Sequence, residues 1–386
     1  MLPTMRRNCD PNQGLLKFSD DGDAKMQRLF IGSIVLVLSA GASAFAASHG
    51  GVAIKKLDAS QAPMTSTEVA NARAIGGNAR GSKNRRGLAG ASAVGFKASG
   101  TFTHSRVEPD SVNGYAPNFN RTGKITLKRN GKAYTCTGAL IKPGVVVTAA
   151  HCLSEFGKKV AGFATEVEFR PAYNGMKTNP APFGFWKASG IVVPDVHSNG
   201  TDTCSTNGRC NNDVGLVVLA ANAGKLPGHV VGHYNHAVNG PTFQNWPASP
   251  NSYKSAQITV LGYSNGFDYG KLLQRNDATG YLQTNKTVNY ATDSALSLGS
   301  DGGPWLINFG VKPTLSTGTT LGSQSDQYVV GVTQSYMNLN GEKTLYGTYF
   351  GVNKEYPSMT YGKFLGGNIA FLLNKTCTNN AFKAAC

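Results

Sequence analysis

Cys136-Thr137-Gly138-Ala139-Leu140-Ile141-Lys142-Pro143-Gly144-Val145-Val146-Val147-Thr148-Ala149-Ala150-His151-Cys152 decides how this chain folds. It is an apolar run broken once by Pro143-Gly144, a turn dipeptide. The β-branched residues on either side read as two strands. The second strand delivers a histidine beside a cysteine, and another cysteine opens the first strand. A disulfide between Cys136 and Cys152 would staple the two strands and fix the backbone of His151. Imidazole has an ordinary pKa near neutrality and serves as a general base when one tautomer is held.

Holding a tautomer needs an acceptor. Asn212-Asp213-Val214-Gly215-Leu216-Val217-Val218-Leu219 offers one, with Asp213 at the mouth of a very apolar strand. A carboxylate there is costly unless hydrogen-bonded, so Asp213 is expected to have a partner. The plain alternative is a turn aspartate that starts a strand. A third stretch, Gly299-Ser300-Asp301-Gly302-Gly303-Pro304-Trp305, is a glycine-rich loop.

In this chain order, Thr148-Ala149-Ala150-His151-Cys152, Asn212-Asp213 and Gly299–Pro304 resemble the motifs of chymotrypsin/trypsin-like serine endopeptidases, secreted bacterial members more than animal trypsins. The resemblance covers roughly residues 117–375. It implies an all-β fold of two antiparallel six-stranded β-barrels with a short C-terminal helix. The first barrel would run from about 117 to 240 and the second from about 255 to 365, crossing near Pro241–Pro250. It also implies that His151 is the general base, that Asp213 orients it, and that the backbone N–H groups of Gly299 and Asp301 form an oxyanion hole.

The departure is Asp301. The family places its nucleophilic serine immediately before Gly-Gly-Pro; here that position is an aspartate and Ser300 stands one residue earlier. A carboxylate is a poor nucleophile toward a peptide bond, and pairing with His151 would raise the imidazole pKa, against its role as base. Ser300 is the alternative nucleophile if the loop slides by one residue. In trypsins an acid at the Ser300 position receives the amino terminus freed on activation, so that style of activation is not expected. Arg73-Ala74-Ile75-Gly76-Gly77 resembles an activation sequence but lies far upstream of Cys136. The resemblance puts Ala295, six residues before Asp301, where trypsins hold the acid that selects Arg and Lys. It puts Ser335 and Gly347 along the same substrate pocket. Nothing here supports a basic-residue preference.

Two functional readings follow. One is a secreted serine endopeptidase with activity impaired at position 301. The other is a non-catalytic pseudoprotease that binds through the interbarrel cleft or a basic tail. Either takes a protein or peptide as partner, acts as a monomer and needs no cofactor.

The remaining sequence fits this frame. With 386 residues, 47 glycines and only 15% charged residues, short strands joined by many turns are expected rather than helical bundles. The net charge of +16 is partly local. Between Glu68 and Glu108 stand Arg73, Arg80, Lys83, Arg85, Arg86, Lys97 and Arg106 with no acid. Only Phe96 and Phe102 interleave these bases, so nucleic acid is not expected. Residues 26–46 read as a secretory signal: Arg28, the apolar run Leu29–Leu38 and Ala44-Phe45-Ala46. That makes Met26 an alternative start and places the protein outside the cell or in the periplasm, with no membrane insertion once the signal is cut. Residues 47–115 read as a basic flexible linker or propeptide, with Arg85-Arg86 a candidate processing site, and 116–386 as the folded domain. The six cysteines after the signal read as three disulfides: Cys136–Cys152, Cys204–Cys210 around a short loop, and Cys377–Cys386 closing the tail. His229, His233 and His236 have metal-like spacing, but Gly232 and loop-like flanks favour a solvated turn, and no metal is expected.

Overall fold

Val145-Val146-Val147 and Leu216-Val217-Val218-Leu219 are apolar at every position because both faces of these strands are covered. Side chains on a strand alternate between faces. Val146, Val217 and Leu219 pack with Ile125, Leu127, Leu140, Phe169 and Ile191. Val145, Val147, Leu216 and Val218 join a second cluster with Leu261, Leu306, Val332, Ile369 and Leu372.

The computed structural model describes residues 51–75, 94–97, 100–109, 115–238, 244–245, 254–284, 286–310, 327–339 and 342–386. All of them belong to one unit, residues 47–386. The expected signal at 26–46, Arg85-Arg86 and most of the Pro241–Pro250 crossing lie outside the described residues. The strands are β1 (Val52–Lys56), β2 (Arg73–Ala74), β3 (Val94–Lys97), β4 (Gly100–Arg106), β5 (Thr122–Arg129), β6 (Lys132–Lys142), β7 (Val145–Thr148), β8 (Glu166–Pro171), β9 (Trp186–Pro194) and β10 (Gly215–Leu219). They continue as β11 (Asn235–His236), β12 (Gln244–Asn245), β13 (Lys254–Gly262), β14 (Gln274–Gln283), β15 (Asn289–Asp293), β16 (Pro304–Ile307), β17 (Tyr328–Leu339) and β18 (Glu342–Tyr349). The α-helices are α1 (Ser66–Asn71), α2 (Ala150–Leu153), α3 (Asp195–Asn199), α4 (Gly228–Val231) and α5 (Gly367–Thr378).

Two rings of antiparallel strands close. The first runs β5-β6-β7-β10-β9-β8 and returns to β5. The second runs β13-β16-β17-β18-β15-β14 and returns to β13. Each is a six-stranded barrel, as the sequence led us to expect. The second has its own core of Ile258, Val260, Tyr290, Leu296, Trp305, Val330 and Leu345. Closure leaves no unpaired edge inside either ring. The turn between β5 and β6 has positive φ at both Asn130 (51°) and Gly131 (71°), the backbone that a tight two-residue hairpin requires. α5 is the short C-terminal helix that the resemblance implies, and it lays Ile369, Leu372 and Leu373 on the shared interbarrel cluster. All three expected disulfides are formed, and Cys377–Cys386 ties the end of α5 to the last residue.

The structure differs from the sequence reading within the stretch read as linker, where β4 pairs antiparallel with β14 of the second barrel. Residues 51–75, read as linker, are built into the first barrel. β1 pairs antiparallel with β9 along its whole length, and α1 is opened by a Thr65/Glu68 capping box. β2 pairs parallel with β6. This segment is held by backbone hydrogen bonds and a few buried side chains (Met64, Val69, Ile75), so it has no hydrophobic period to read. β14, Gln274–Gln283, is largely polar and is held by ladders on both sides rather than by apolar side chains.

The two environments separate in stability. Leu140→Ala, at a fully buried barrel position, should cost about 2–5 kcal/mol in urea unfolding. Ile54→Ala, on the exposed face of β1, should cost less than about 0.5 kcal/mol.

Candidate active site

His151 sits in α2, the single helical turn that follows β7, and Cys152 beside it is bonded to Cys136 in β6. Asp213 lies two residues before β10, the neighbour of β7. Strand pairing therefore brings the two side chains together. Asp213 Oδ1 accepts the His151 backbone N–H at 2.8 Å, and Oδ2 stands 2.7 Å from the ring Nδ1. The carboxylate thus holds both the backbone and the ring.

Asp213 is itself held from behind. Its carbonyl accepts a hydrogen bond from Thr348 Oγ1 of β18 at 3.0 Å. The preceding Asn212 is buried in a polar cluster. It donates to Asp202 (2.8 Å) and Glu355 (3.2 Å), and its amide oxygen accepts from Asn353 (2.7 Å) and Asn368 (3.2 Å). Burial, with the nearby charges of Glu355 and Asp213, pushes the Asp202 carboxyl up to about 7 against the hydrogen bonds from Asn212. Burial also works against the charged form of Asp213, but His151 overrides it and holds that carboxyl below the usual range.

The glycine-rich loop is wedged between the barrels. Thr137 of β6 donates through its backbone N–H to the Asp301 carbonyl at 2.9 Å and through its hydroxyl to the Gly299 carbonyl at 2.8 Å. The same hydroxyl accepts the Tyr263 N–H at 2.9 Å. Gly302 donates to the Thr333 carbonyl at 2.7 Å, and Thr333 donates back to Gly303 at 2.8 Å. Gly302 has φ of +80°, and a Cβ there would lie 1.9 Å from Thr148 Oγ1, so no other residue fits.

This wedge presents Asp301 to the histidine. Its carboxylate oxygen Oδ1 stands 3.6 Å from His151 Nε2, and the residue is 1% exposed. His151 is bracketed by two carboxylates. Burial alone would lower its pKa, but Asp213 and then Asp301 override it and raise the ring to about 10. The ring is therefore an imidazolium at neutral pH, with no free lone pair for general-base work.

Ser300, the alternative nucleophile, turns the other way. Its hydroxyl donates to the Ser297 carbonyl at 2.5 Å and its Cβ lies against Gly262. The loop keeps its register because Thr137 and Thr333 grip the backbone on both sides of residue 301. Of the expected pocket residues, Ala295 is buried, with its N–H on Asn276 Oδ1 at 3.2 Å and its carbonyl on Lys343 Nζ at 2.6 Å. Ser335 lies next to a register shift in β17, opposite Tyr346. Gly347 faces inward: a Cβ there would strike the Trp305 indole at 2.6 Å. The three histidines are dispersed over α4, the turn after it and β11. Thr137, Thr348 and Lys343 had no sequence signal, because each acts through a main-chain contact that only the folded barrels create.

Ring-proton NMR should find His151 titrating well above the usual 6.5. In Asp301→Asn its pKa should fall by about 1–2 pH units. Because the folded pKa is raised, the pairing adds stability that is fully present below about pH 6.5 and is lost as pH rises through about 10. Thr137→Val strands the Tyr263 N–H and unties Gly299, and should cost about 2–4 kcal/mol by chemical denaturation.

One curated relative is the extracellular metalloprotease of Bacillus subtilis (strain 168), 26% identical over 183 residues, 47% of this chain and 50% of the relative. The chain thus spans about half the length of that protein. Among solved structures, the protease Anisep from Arthrobacter nicotinovorans aligns with a TM-score of 0.48 at 22% identity, covering 68% of this chain and 96% of its own. The thermostable serine protease AL20, from an extremophilic microorganism, aligns with a TM-score of 0.45 at 21% identity, covering 61% and 94%. The trypsin family model matches residues 112–354, which hold both barrels, His151, Asp213 and the glycine-rich loop, and the chain belongs to the trypsin family.

Proposed function

We propose that this protein is an exported member of the trypsin family whose interbarrel cleft receives a protein or peptide chain, and whose hydrolytic chemistry is latent because of Asp301. The observation that carries this reading is the side chain of His151 held between the carboxyl groups of Asp213, at 2.7 Å, and Asp301, at 3.6 Å. In a working triad a hydroxyl oxygen attacks the peptide carbonyl. Its proton passes to Nε2 of the histidine and then to the leaving amine. Here Nε2 faces a carboxylate, which supplies no hydroxyl proton and is a weak nucleophile.

The surrounding contacts suit a hydroxyl at that position. The Asp213 contacts fix the tautomer with the proton on Nδ1. The backbone N–H groups of Gly299 and residue 301 would receive the oxyanion, commonly the largest single contribution to such catalysis. The loop is gripped through its backbone, so its shape does not depend on the side chain at 301. The three formed disulfides fit an oxidising compartment, in line with an export signal at 26–46. The reading needs one chain only, because the cleft lies between its own two barrels.

A serine-directed fluorophosphonate and a casein substrate test this. The chain with Asp301 should neither be labelled nor cleave casein above background. Asp301→Ser should gain labelling at 301 and a turnover higher by at least about 10³-fold. Labelling of the unmodified chain at Ser300 would overturn the latent reading. An Asp301→Ser form that folds but neither labels nor cleaves would overturn the catalytic lineage.

A further inference from the structure

Pairing between β6 and β7 begins only at Ala139. Before that point, among the described residues, the side of β6 turned away from β5 meets no other strand of the six-stranded ring, and two other segments use it. Thr137 gives its backbone N–H there to the Asp301 carbonyl at 2.9 Å. Backbone groups alternate in direction along a strand, so Thr135 presents its carbonyl on the same side. That carbonyl accepts the Ile75 N–H at 3.1 Å. β2 is therefore the next occupant of this edge after the glycine-rich loop. It runs parallel to β6, with Arg73 opposite Tyr134 and Ala74 opposite Thr135. Ala74 Cβ lies 3.5 Å from the point where a Cβ on Gly299 would begin.

A peptide bond presented to position 301 would set its carbonyl oxygen against the Gly299 N–H and its leaving amine toward His151 Nε2, the source of that amine's proton. The Cys136–Cys152 bridge lies beside Nε2. Cys152 Sγ stands 4.0 Å from Nε2 and 3.8 Å from the Asp301 carbonyl oxygen. The leaving part of the peptide therefore departs past Cys136, and the next group along β6 is Thr135. A strand advances about 3.3 Å per residue, so the peptide reaches that carbonyl within roughly two residues of the bond. The carbonyl is already taken by Ile75.

β2 is only two residues long, whereas the chain before it is fixed firmly. β1 pairs with β9 through five residues. α1 has its capping box, Glu68 meets Lys128 Nζ at 3.0 Å, and the Met64 N–H donates to Glu168 at 2.8 Å. Ile75 belongs to the apolar cluster of Ile125, Leu127 and Cys136, but Ala74 is half-buried and Arg73 is exposed. A short strand on a firm tether stays close when it leaves the edge, and it competes for that edge at high effective concentration.

We propose that Arg73-Ala74-Ile75 is a built-in competitor for the edge of β6, which a bound peptide continuing past the bond must displace to pair with Thr135. This inference rests on the cleft being the peptide-binding site proposed above. The partner it fits is an extended peptide with a backbone N–H where Ile75 has one. A peptide that ends at the bond does not meet β2, so comparing the two kinds of peptide isolates its effect.

The test starts from a bond in casein that the full chain carrying Asp301→Ser cleaves, located by mass spectrometry. Two capped peptides are made from it, one continuing past the bond and one ending there. In the unmodified chain, amide hydrogen exchange at Ile75 should quicken about tenfold with the longer peptide at saturation and stay unchanged with the shorter. In the Asp301→Ser chain, adding Ile75→Pro removes the N–H and should raise kcat/KM for the longer peptide about tenfold, because no competitor has to leave. The coumarin amide of the shorter peptide should change less than about twofold, and Ile75→Val should alter neither. The exchange measurement needs no substitution, so it decides the question even where the proline variant fails to fold. Unchanged exchange at Ile75 with the longer peptide bound, as seen by fluorescence anisotropy, would overturn the role of β2 and leave the peptide-binding reading standing. An equal rise for both substrates would do the same. A folded Asp301→Ser chain that cleaves no bond in casein would overturn both.

Discussion

Thr137 joins the two barrels at the one point where the chemistry must be assembled. One hydroxyl gives its proton to Gly299 and takes one from Tyr263, while the same residue's amide holds the Asp301 carbonyl. A side chain of β6 thus fixes a loop of the second barrel against the strand that leads to His151. Gly302 completes the contact by bringing its backbone closer to Thr148 than any Cβ allows. Distances at the site depend on this seam, because His151 and Asp213 come from one barrel and residue 301 from the other. An active site made at a seam needs both sides to be stiff, and closed six-stranded rings with separate cores supply that stiffness.

The electrostatics follow from the same geometry. Two carboxylates at opposite edges of one imidazole favour its cation more strongly than burial opposes it. In this arrangement the histidine changes from a proton acceptor into the counter-ion of its neighbours. Thr348 and the Asn212 cluster hold Asp213 in place whatever occupies position 301, because none of their bonds involves that residue. Scaffold and reactivity are therefore largely independent here. That independence lets the residue at 301 differ without disturbing the fold.

The parts of this design that were legible in the sequence are those written in side-chain pattern. The all-apolar strands β7 and β10, the His-Cys pair and the Gly-Gly-Pro loop each combine residue types that few other structures require together. The paired cysteines were readable for the same reason. What escaped reading is held by main-chain hydrogen bonds. β1 adds to the edge of β9 with an unremarkable sequence, and β14 is polar along most of its length. Lys343 reads in one dimension as a surface lysine, since only the ladder of β18 against β15 turns it toward Ala295. Ser300 shows the reverse case: adjacency in sequence suggested a nucleophile, and backbone register turned it away from the histidine.

The pairing of β2 with β6 bears on how the protein can be handled. Ile75 is buried and its N–H donates to the Thr135 carbonyl at 3.1 Å, one residue before Cys136. Ala74 comes within 3.5 Å of where a Gly299 side chain would begin. A recombinant boundary placed at residue 76, where the glycine-rich stretch begins, would strip this cover. It would bare backbone groups of β6 beside an apolar patch, an edge prone to pairing with other chains during purification. A boundary at or before Gly51 keeps that edge capped and also keeps the Gly51 carbonyl that accepts the Tyr356 hydroxyl.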